Sequence, residues 1–313
     1  QPITGPFGIA IFAMLLQPFL LGLLASAYRQ TLRVEADQYR LYENEVTAMR
    51  NELQTAHEMQ MSLLPSVAPK VEGYEVDDIC IPANAVGGDY YTYRWLDNRY
   101  FALIAADVSG KAMKAAVTAL RFNEMLQYEC RHQKNAGQIL EGLDAALENR
   151  IESFTFITCC VAVLDTQTHT VEIANAGHCE PYLFSHCTLQ TRAITLPGFP
   201  LGLPRILRSD TEYKTVRIQL EPGDTLLLYS DGVVDAHNEA EEQYEEERLV
   251  HLLNRSAIRL GPTAMIERVV QDLERHMGDG RQTDDISLVA LKRQGNIDIS
   301  SQKPKRQVQR IAG

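Results

Sequence analysis

One apolar segment of this chain runs directly into an aspartate and then into an alanine-rich helix. It reads ALIAADVSGKAMKAAV, residues 102–117, and its apolar half has the composition of a buried β-strand. A Walker phosphate loop is excluded because Ala105 stands where its first glycine belongs and Ala112 where its serine or threonine belongs. A carboxylate at the end of a buried strand is costly to desolvate unless a positive group meets it. The fold therefore has to supply such a group near Asp107.

The same arrangement occurs at three other predicted strand ends. Asp89 follows two glycines in AVGGDYY, Asp231 ends the apolar segment LLLYSD, and the pair Asp284 and Asp285 precedes ISLVAL. Taken singly, each aspartate is also explained as a turn or capping residue. As a set without His or Cys, they favour a shared site for hard divalent ions such as Mg²⁺ or Mn²⁺ rather than zinc.

Composition indicates an acidic globular protein. Of the 313 residues, 45% are apolar and 23% are charged, and this length accommodates one large domain with an appendage or two small domains. The formal net charge of −11 argues against a nucleic-acid-binding protein, whose contact surface would be basic. The six cysteines form no C-x-x-C pair, which is typical of reduced cysteines packed in a core.

Residues 1–28 contain an uncharged segment of membrane-spanning length. It covers residues 8–28, and about 20 apolar residues cross the hydrocarbon core of a bilayer. A buried helix of a soluble protein is the alternative, and Gln17 and Pro18 interrupt the segment. Arginines follow directly, which by the positive-inside tendency predicts the cell inner membrane, with the rest of the chain in the cytoplasm. We expect a transmembrane helix that is the last span of a longer protein.

Residues 29–64 carry a heptad pattern. Mostly apolar residues recur at spacings of three and four among charged ones, which predicts a coiled-coil helix and therefore a homodimer. A single amphipathic helix that lies on its own domain is the alternative. The seam consists of Tyr39, Tyr42, Val46, Met49, Leu53, Ala56, Gln60 and Leu63.

Residues 65–293 predict one α+β domain. Helices with a 3.6-residue period are expected around 113–120, 139–147 and 265–273. Strands cluster with helices between the groups, without strict alternation, which favours antiparallel sheets. The polar tail, 294–313, is expected to be disordered. Strands are expected near residues 74–81, 86–95, 99–106, 155–164, 170–175, 181–185, 213–219, 225–229 and 286–292.

Seven short segments occur in order between residues 57 and 292. They are QMSLLPS, AVGGDYY, IAADVSGK, NAGHCEPYL, GFPLGL, GDTLLLYSDGVVDA and TDDISLVAL. In this order the chain resembles the SpoIIE/RsbU-like branch of the PPM metal-dependent protein phosphatases. The resemblance implies an antiparallel β-sandwich flanked by helices, with two Mn²⁺ or Mg²⁺ ions at one edge. It also implies hydrolysis of phosphoserine or phosphothreonine on a protein.

The resemblance assigns a role to each aspartate. Asp89 and Asp107 would be the bridging metal ligands and the catalytic residues, and the backbone carbonyl of Val108 would complete the shell of one ion. Asp231 and Asp284 would hold the other ion. A water activated by the two metals would attack the phosphoryl group, so no covalent nucleophile is required.

Two further residues belong to the quoted segments. Asp284 is preferred over Asp285 as the ligand because the family's aspartate directly precedes an Asp/Asn-Ile/Met-Thr/Ser sequence. His178 of NAGH is expected to shape its loop, with proton donation as the alternative.

Three positions depart from the family pattern. Thr92 stands where an acid is usual, Ala112 where a glycine is usual, and Lys114 is a further exception. None of them is one of the four aspartates, so activity is expected, and an inactive phosphoprotein-binding scaffold is the alternative. The resemblance further implies bacterial signal transduction, with a phosphorylated STAS-type anti-sigma-factor antagonist as the substrate.

Overall fold

The chain divides into two compact units, residues 1–54 and residues 55–313. Some predictions lie outside the described residues. They concern Ala112, the side chain of Lys114, the first five residues of the expected span and the tail from residue 296. The computed structural model describes residues 6–84, 87–110, 113–148, 155–204 and 212–295.

The first unit consists of most of one long helix. Helix α1 extends from Pro6 to Met61 without a break, and its residues from Thr55 onward belong to the second unit. The seam residues Tyr39, Tyr42 and Met49 are 64–66% exposed. The expected helix is therefore present, and its pairing into a coiled-coil dimer stays a prediction.

The predicted membrane span is not supported. Across the described part of the chain, no helix combines the length and the apolar content that a bilayer crossing requires. Gln17 and Pro18 lie in the middle of the segment on which that prediction depended, and a polar side chain is costly in hydrocarbon.

The second unit contains two five-stranded antiparallel sheets. Sheet A has the strand order β1-β10-β9-β6-β7, and sheet B has the order β2-β3-β4-β5-β8. The predicted α+β class with antiparallel sheets is confirmed. The strands are β1 (Tyr74–Ile81), β2 (Asp89–Trp95), β3 (Tyr100–Val108), β4 (Ile157–Asp165), β5 (Thr170–Ala176), β6 (Tyr182–Ser185), β7 (Gln190–Ala193), β8 (Thr215–Gln219), β9 (Thr225–Tyr229) and β10 (Ile286–Arg293).

The four helices of this unit cover the outer faces of the sheets. Helix α3 begins after Asn135, whose side-chain oxygen accepts a hydrogen bond from the backbone N–H of Gln138, as an N-cap residue does. Proline opens α5, where its missing N–H is not needed. The helices are α2 (Met113–His132), α3 (Ala136–Leu147), α4 (Glu246–Ser256) and α5 (Pro262–Met277).

The sheets pack face to face between two layers of helices. In β9, Leu226 and Leu228 lie in the core between the sheets, whereas Leu227 and Tyr229 lie in the core beneath α4 and α5. Both faces of sheet A are thus covered, because successive side chains of a strand point to opposite faces. Helices α2 and α3 pack against the outer face of sheet B. A strand buried on both faces reads as an unbroken apolar segment, which is why the sequence revealed these strands.

Candidate metal centre

The strand ends that carry the aspartates lie at one edge of the sandwich. In sheet B, Asp89 begins β2 and pairs across the ladder with Asp107, next to the end of β3. In sheet A, β9 ends at Tyr229 and Asp231 opens a single 3-10 turn after it. Asp284 lies two residues before β10, whose first residues run beside this turn. Each sheet therefore supplies two of the four aspartates that are predicted ligands.

Hydrogen bonds join the two sheets at this edge. The hydroxyl of Ser287, in β10, donates to Oδ2 of Asp89 at 2.6 Å. The hydroxyl of Ser230 donates to the backbone carbonyl of Asp285 at 3.0 Å and accepts from the backbone N–H of Ser287 at 2.9 Å. The first bond fixes the start of β2 against the start of β10, and the other two tie the end of β9 to the start of β10 within sheet A.

Negative charge accumulates at the edge. Burial raises the pKa of Asp89 well above its usual value, and the charge of Asp107 raises it further against hydrogen bonds from two serines. Burial, followed by the charges of Asp231 and Asp284, raises the pKa of Asp107 to about 7. Desolvation and the neighbouring Asp284 also raise the pKa of Asp231. Within the described ranges, no Lys, Arg or His forms an ion pair with any of these four carboxylates.

The carboxylate and carbonyl oxygens at this edge fit a hard cation, although the side chains are not arranged around a common ion position. Among the residues that the structure describes, no three His, Cys, Asp or Glu side chains are placed to hold a metal ion together. Close approach is nevertheless built into Gly88: a Cβ there would lie 2.5 Å from Oδ1 of Asp107 and 2.7 Å from the carbonyl oxygen of Val108. Carboxylate and carbonyl oxygens are the ligands that Mg²⁺ and Mn²⁺ prefer.

Gln60 belongs to this edge, and its assignment to the coiled-coil seam was wrong. Its side chain is buried, its Nε2 donates to the carbonyl of Gly87 at 2.8 Å, and its Oε1 accepts from the N–H of the same glycine at 3.0 Å. Ala56, one helical turn earlier, is also buried within the second unit. The end of α1 thus lies on its own domain, as the alternative interpretation held. A polar residue at an otherwise apolar heptad position was the sequence signal.

His178 is hydrogen-bonded to its own loop and to β4. Its Nδ1 shares a hydrogen bond with the hydroxyl of Thr158 at 2.9 Å, and its backbone N–H donates to the side chain of Asn175 at 2.8 Å. Burial lowers the pKa of His178 to about 4, so the imidazole is neutral near pH 7. Thr158 is the ladder partner of Asp107, which connects the NAGH turn to the metal edge. Among the family departures, Thr92 is a buried residue of β2.

Metal-free protein is expected to lose stability as the pH rises between about 4 and 7. Because the pKa of Asp107 is raised from 3.8 to about 7, the folded chain holds a proton there that the unfolded chain has released. The free energy of unfolding therefore falls with increasing pH, by more than about 1 kcal/mol for this group. Urea unfolding in EDTA across this range should show a steeper decline in the wild type than in Asp107→Asn. Equal slopes in the two proteins would contradict the assignment.

Comparison with known proteins agrees with the fold of the second unit. The chain is 26% identical over 249 residues to the phosphoserine phosphatase RsbU of Bacillus subtilis (strain 168), which covers 78% of this chain and 71% of that protein. Its fold is similar to the SiaA PP2C domain of Pseudomonas aeruginosa, with a TM-score of 0.68 at 19% identity, covering 79% of this chain and 97% of that one. It is also similar to RsbX, crystallised in complex with magnesium, with a TM-score of 0.53 at 14% identity. That similarity covers 71% of this chain and 96% of RsbX.

A family model extends this likeness to most of the second unit. The model described as Stage II sporulation protein E (SpoIIE) matches residues 97–294, a range that includes three of the four aspartates predicted as ligands and begins eight residues after Asp89. The order of the seven sequence segments had predicted this branch of the metal-dependent protein phosphatases. The chain belongs to the SpoIIE family.

Proposed function

We propose that this protein is a metal-dependent serine/threonine protein phosphatase. The observation that carries the proposal is the edge to which each sheet brings two aspartates, with the pKa values of Asp89, Asp107 and Asp231 raised. Among the described residues, none of these carboxylates has a cationic partner. Such a set of carboxylates is stabilised when divalent cations bind to it. Two ions, Mn²⁺ or Mg²⁺, are the complement that four carboxylates and the Val108 carbonyl favour.

Each sheet would contribute aspartate ligands to the bound ions. Asp89 and Asp107 would hold ions from the sheet B side, and Asp231 and Asp284 from the sheet A side. The bound ions would supply a water of lowered pKa and neutralise the phosphoryl oxygens. Ser287 donates to Oδ2 of Asp89, which fixes the orientation of that carboxylate at the edge.

The cysteines do not favour a thiolate mechanism. Cys159 and Cys160 are fully buried in β4, and burial raises the pKa of Cys160 to about 12. A cysteine nucleophile needs a lowered pKa and access to substrate. Hydrolysis by a water molecule is therefore the better account of this site.

Phosphate release from a phosphoserine protein should require Mn²⁺ or Mg²⁺ and stop in excess EDTA. Asp231→Asn removes a charged ligand, so its rate should fall by about 100-fold or more while circular dichroism stays unchanged. Asp279→Asn, an exposed aspartate outside the edge, is the matched control and should retain the wild-type rate. Full hydrolysis in EDTA would exclude metal dependence, and a fully active Asp231→Asn would exclude this site.

The proposed substrate is a phosphorylated STAS-type anti-sigma-factor antagonist. Two clefts of about 510 and 620 Å³ are each lined without any of the four aspartates, whereas the metal edge lies at the rim of the sandwich, where Asp231 and Asp284 are exposed. An open edge recognises a substrate through docking of a folded surface rather than through enclosure of a small molecule. The relative RsbU is named a phosphoserine phosphatase, which supports a phosphoserine protein as the substrate class.

A folded phosphorylated STAS protein should be hydrolysed with a kcat/KM at least about 10-fold above that of a peptide with the same phosphoserine, because docking contributes binding energy. Parallel rates on the protein, the peptide and a small phosphoester measure this preference. Equal values for the protein and the peptide would contradict docking. A preference for the small phosphoester would contradict a protein substrate altogether.

We propose in addition that the exposed seam of α1 pairs two chains. Tyr39, Tyr42 and Met49 are exposed, and apolar residues at this spacing pack together in parallel coiled coils. Val46→Lys combined with Leu53→Lys should convert dimers to monomers in analytical ultracentrifugation. The control is Asn44→Lys combined with Ala48→Lys, which places the same charges outside the seam. A monomeric wild type would refute the pairing.

A further inference from the structure

We infer that Asp285 is a positioning residue that holds the metal-ligand loop of the opposite sheet in place. The inference rests on the proposed function, because the loop in question carries Asp89. Asp285 lies immediately before β10 of sheet A, next to the predicted ligand Asp284. It would act through the backbone of sheet B and not through contact with substrate.

The carboxylate of Asp285 accepts three hydrogen bonds from one distant segment. Its Oδ1 accepts from the backbone N–H of Ala83 at 2.8 Å. Its Oδ2 accepts from the N–H of Gly88 at 2.8 Å and from that of Asp89 at 3.4 Å. The side chain is 4% exposed, so these bonds are shielded from water, where bonds to a charged acceptor are stronger.

The pattern of donors requires a carboxylate. N–H groups approach both oxygens, and an ionised carboxylate accepts at each of them without donating. An asparagine would turn its NH₂ group toward Ala83 or toward Gly88 and Asp89. At least one backbone N–H would then lie buried without an acceptor, which is unfavourable.

Two glycines make room for Asp285 between the ligand-bearing segments. A Cβ at Gly87 would lie 1.7 Å from Oδ2 of Asp285, and a Cβ at Gly232 would lie 2.0 Å from its backbone oxygen. The same backbone oxygen accepts the hydroxyl of Ser230. The side chain of Asp285 thus fixes the segment that precedes Asp89, while its backbone contacts the turn that begins at Asp231. One residue sets the distance between the ligands of the two sheets.

The adjacent aspartates therefore have different tasks. Asp284 is exposed and its Oδ1 accepts the backbone N–H of Asp285 at 2.8 Å, so its outer oxygen faces solvent at the edge. Both oxygens of Asp285 already bind backbone N–H groups. The charge of Asp285 also reaches Asp89 and Asp107, which adds to the attraction for a cation without direct coordination.

The test compares Asp285→Asn with Asp284→Asn in the full chain. In metal-free protein, hydrogen exchange at the amides of Gly88 and Asp89 should be at least about 10-fold faster in Asp285→Asn and unchanged in Asp284→Asn. Calorimetric titration with Mn²⁺ should show affinity lowered by about 10- to 100-fold in Asp285→Asn, with the wild-type number of ions bound. Asp284→Asn should bind fewer ions.

Two results would overturn the inference. Wild-type exchange together with wild-type Mn²⁺ affinity in Asp285→Asn would show that the loop does not depend on this carboxylate. Loss of one bound ion with unchanged exchange would show that Asp285 is itself a ligand. If Asp285→Asn fails to fold, Gly87→Ala replaces it, because its Cβ displaces the same carboxylate, and the same two criteria apply. A wild type that binds Mn²⁺ but hydrolyses no phosphoprotein would defeat the proposed function and leave this test intact.

Discussion

The concentration of carboxylates at the edge of the sandwich is the constraint on which the rest of this structure depends. Asp89 and Asp107 face each other across the β2–β3 ladder, so backbone pairing holds together two acidic side chains that repel each other. Burial raises the pKa of both. Strand pairing and packing on both faces of the sheets offset that cost, and a bound cation would remove much of it. The edge is therefore electrostatically unfavourable within an otherwise apolar core. This is a property expected of a site that binds cations.

Much of the fold was predictable because its strands are buried on both faces. All nine expected strands are present, and the segments around β3, β4 and β9 read as unbroken apolar sequence. Strand β7 and helix α4 were missed for the opposite reason. β7 is mostly exposed and polar, and α4 begins in an acidic stretch that reads as a solvated surface. In both cases tertiary packing, and not the local pattern, decides the structure.

The candidate site was predictable as a set of aspartates but not as a set of partners. Spacing placed Asp89, Asp107, Asp231 and Asp284 at strand ends, and the sheets bring those ends to one edge. The hydrogen bonds from Ser287 to Asp89 and from Gln60 to Gly87 join segments that are far apart in the chain. No local sequence pattern predicts them. Heptad spacing placed Gln60 in a seam because periodicity records which face a residue occupies and not what covers that face.

The segment before Asp89 is held from two sides. Gln60, at the end of α1, binds both backbone groups of Gly87, and Asp285, immediately before β10, binds the N–H groups of the next two residues. An apolar side chain cannot replace either of them, because each satisfies partly buried backbone groups. The position of Asp89 is therefore a property of three elements together: β2 carries the ligand, β10 sets its distance from the ligands of sheet A, and the last turn of α1 closes the loop from outside. Both bonds to Gly87 are made by the single side-chain amide of Gln60, so a displacement of the end of α1 by one hydrogen-bond length would break them together. Asp285 would then be the remaining side-chain support of the segment.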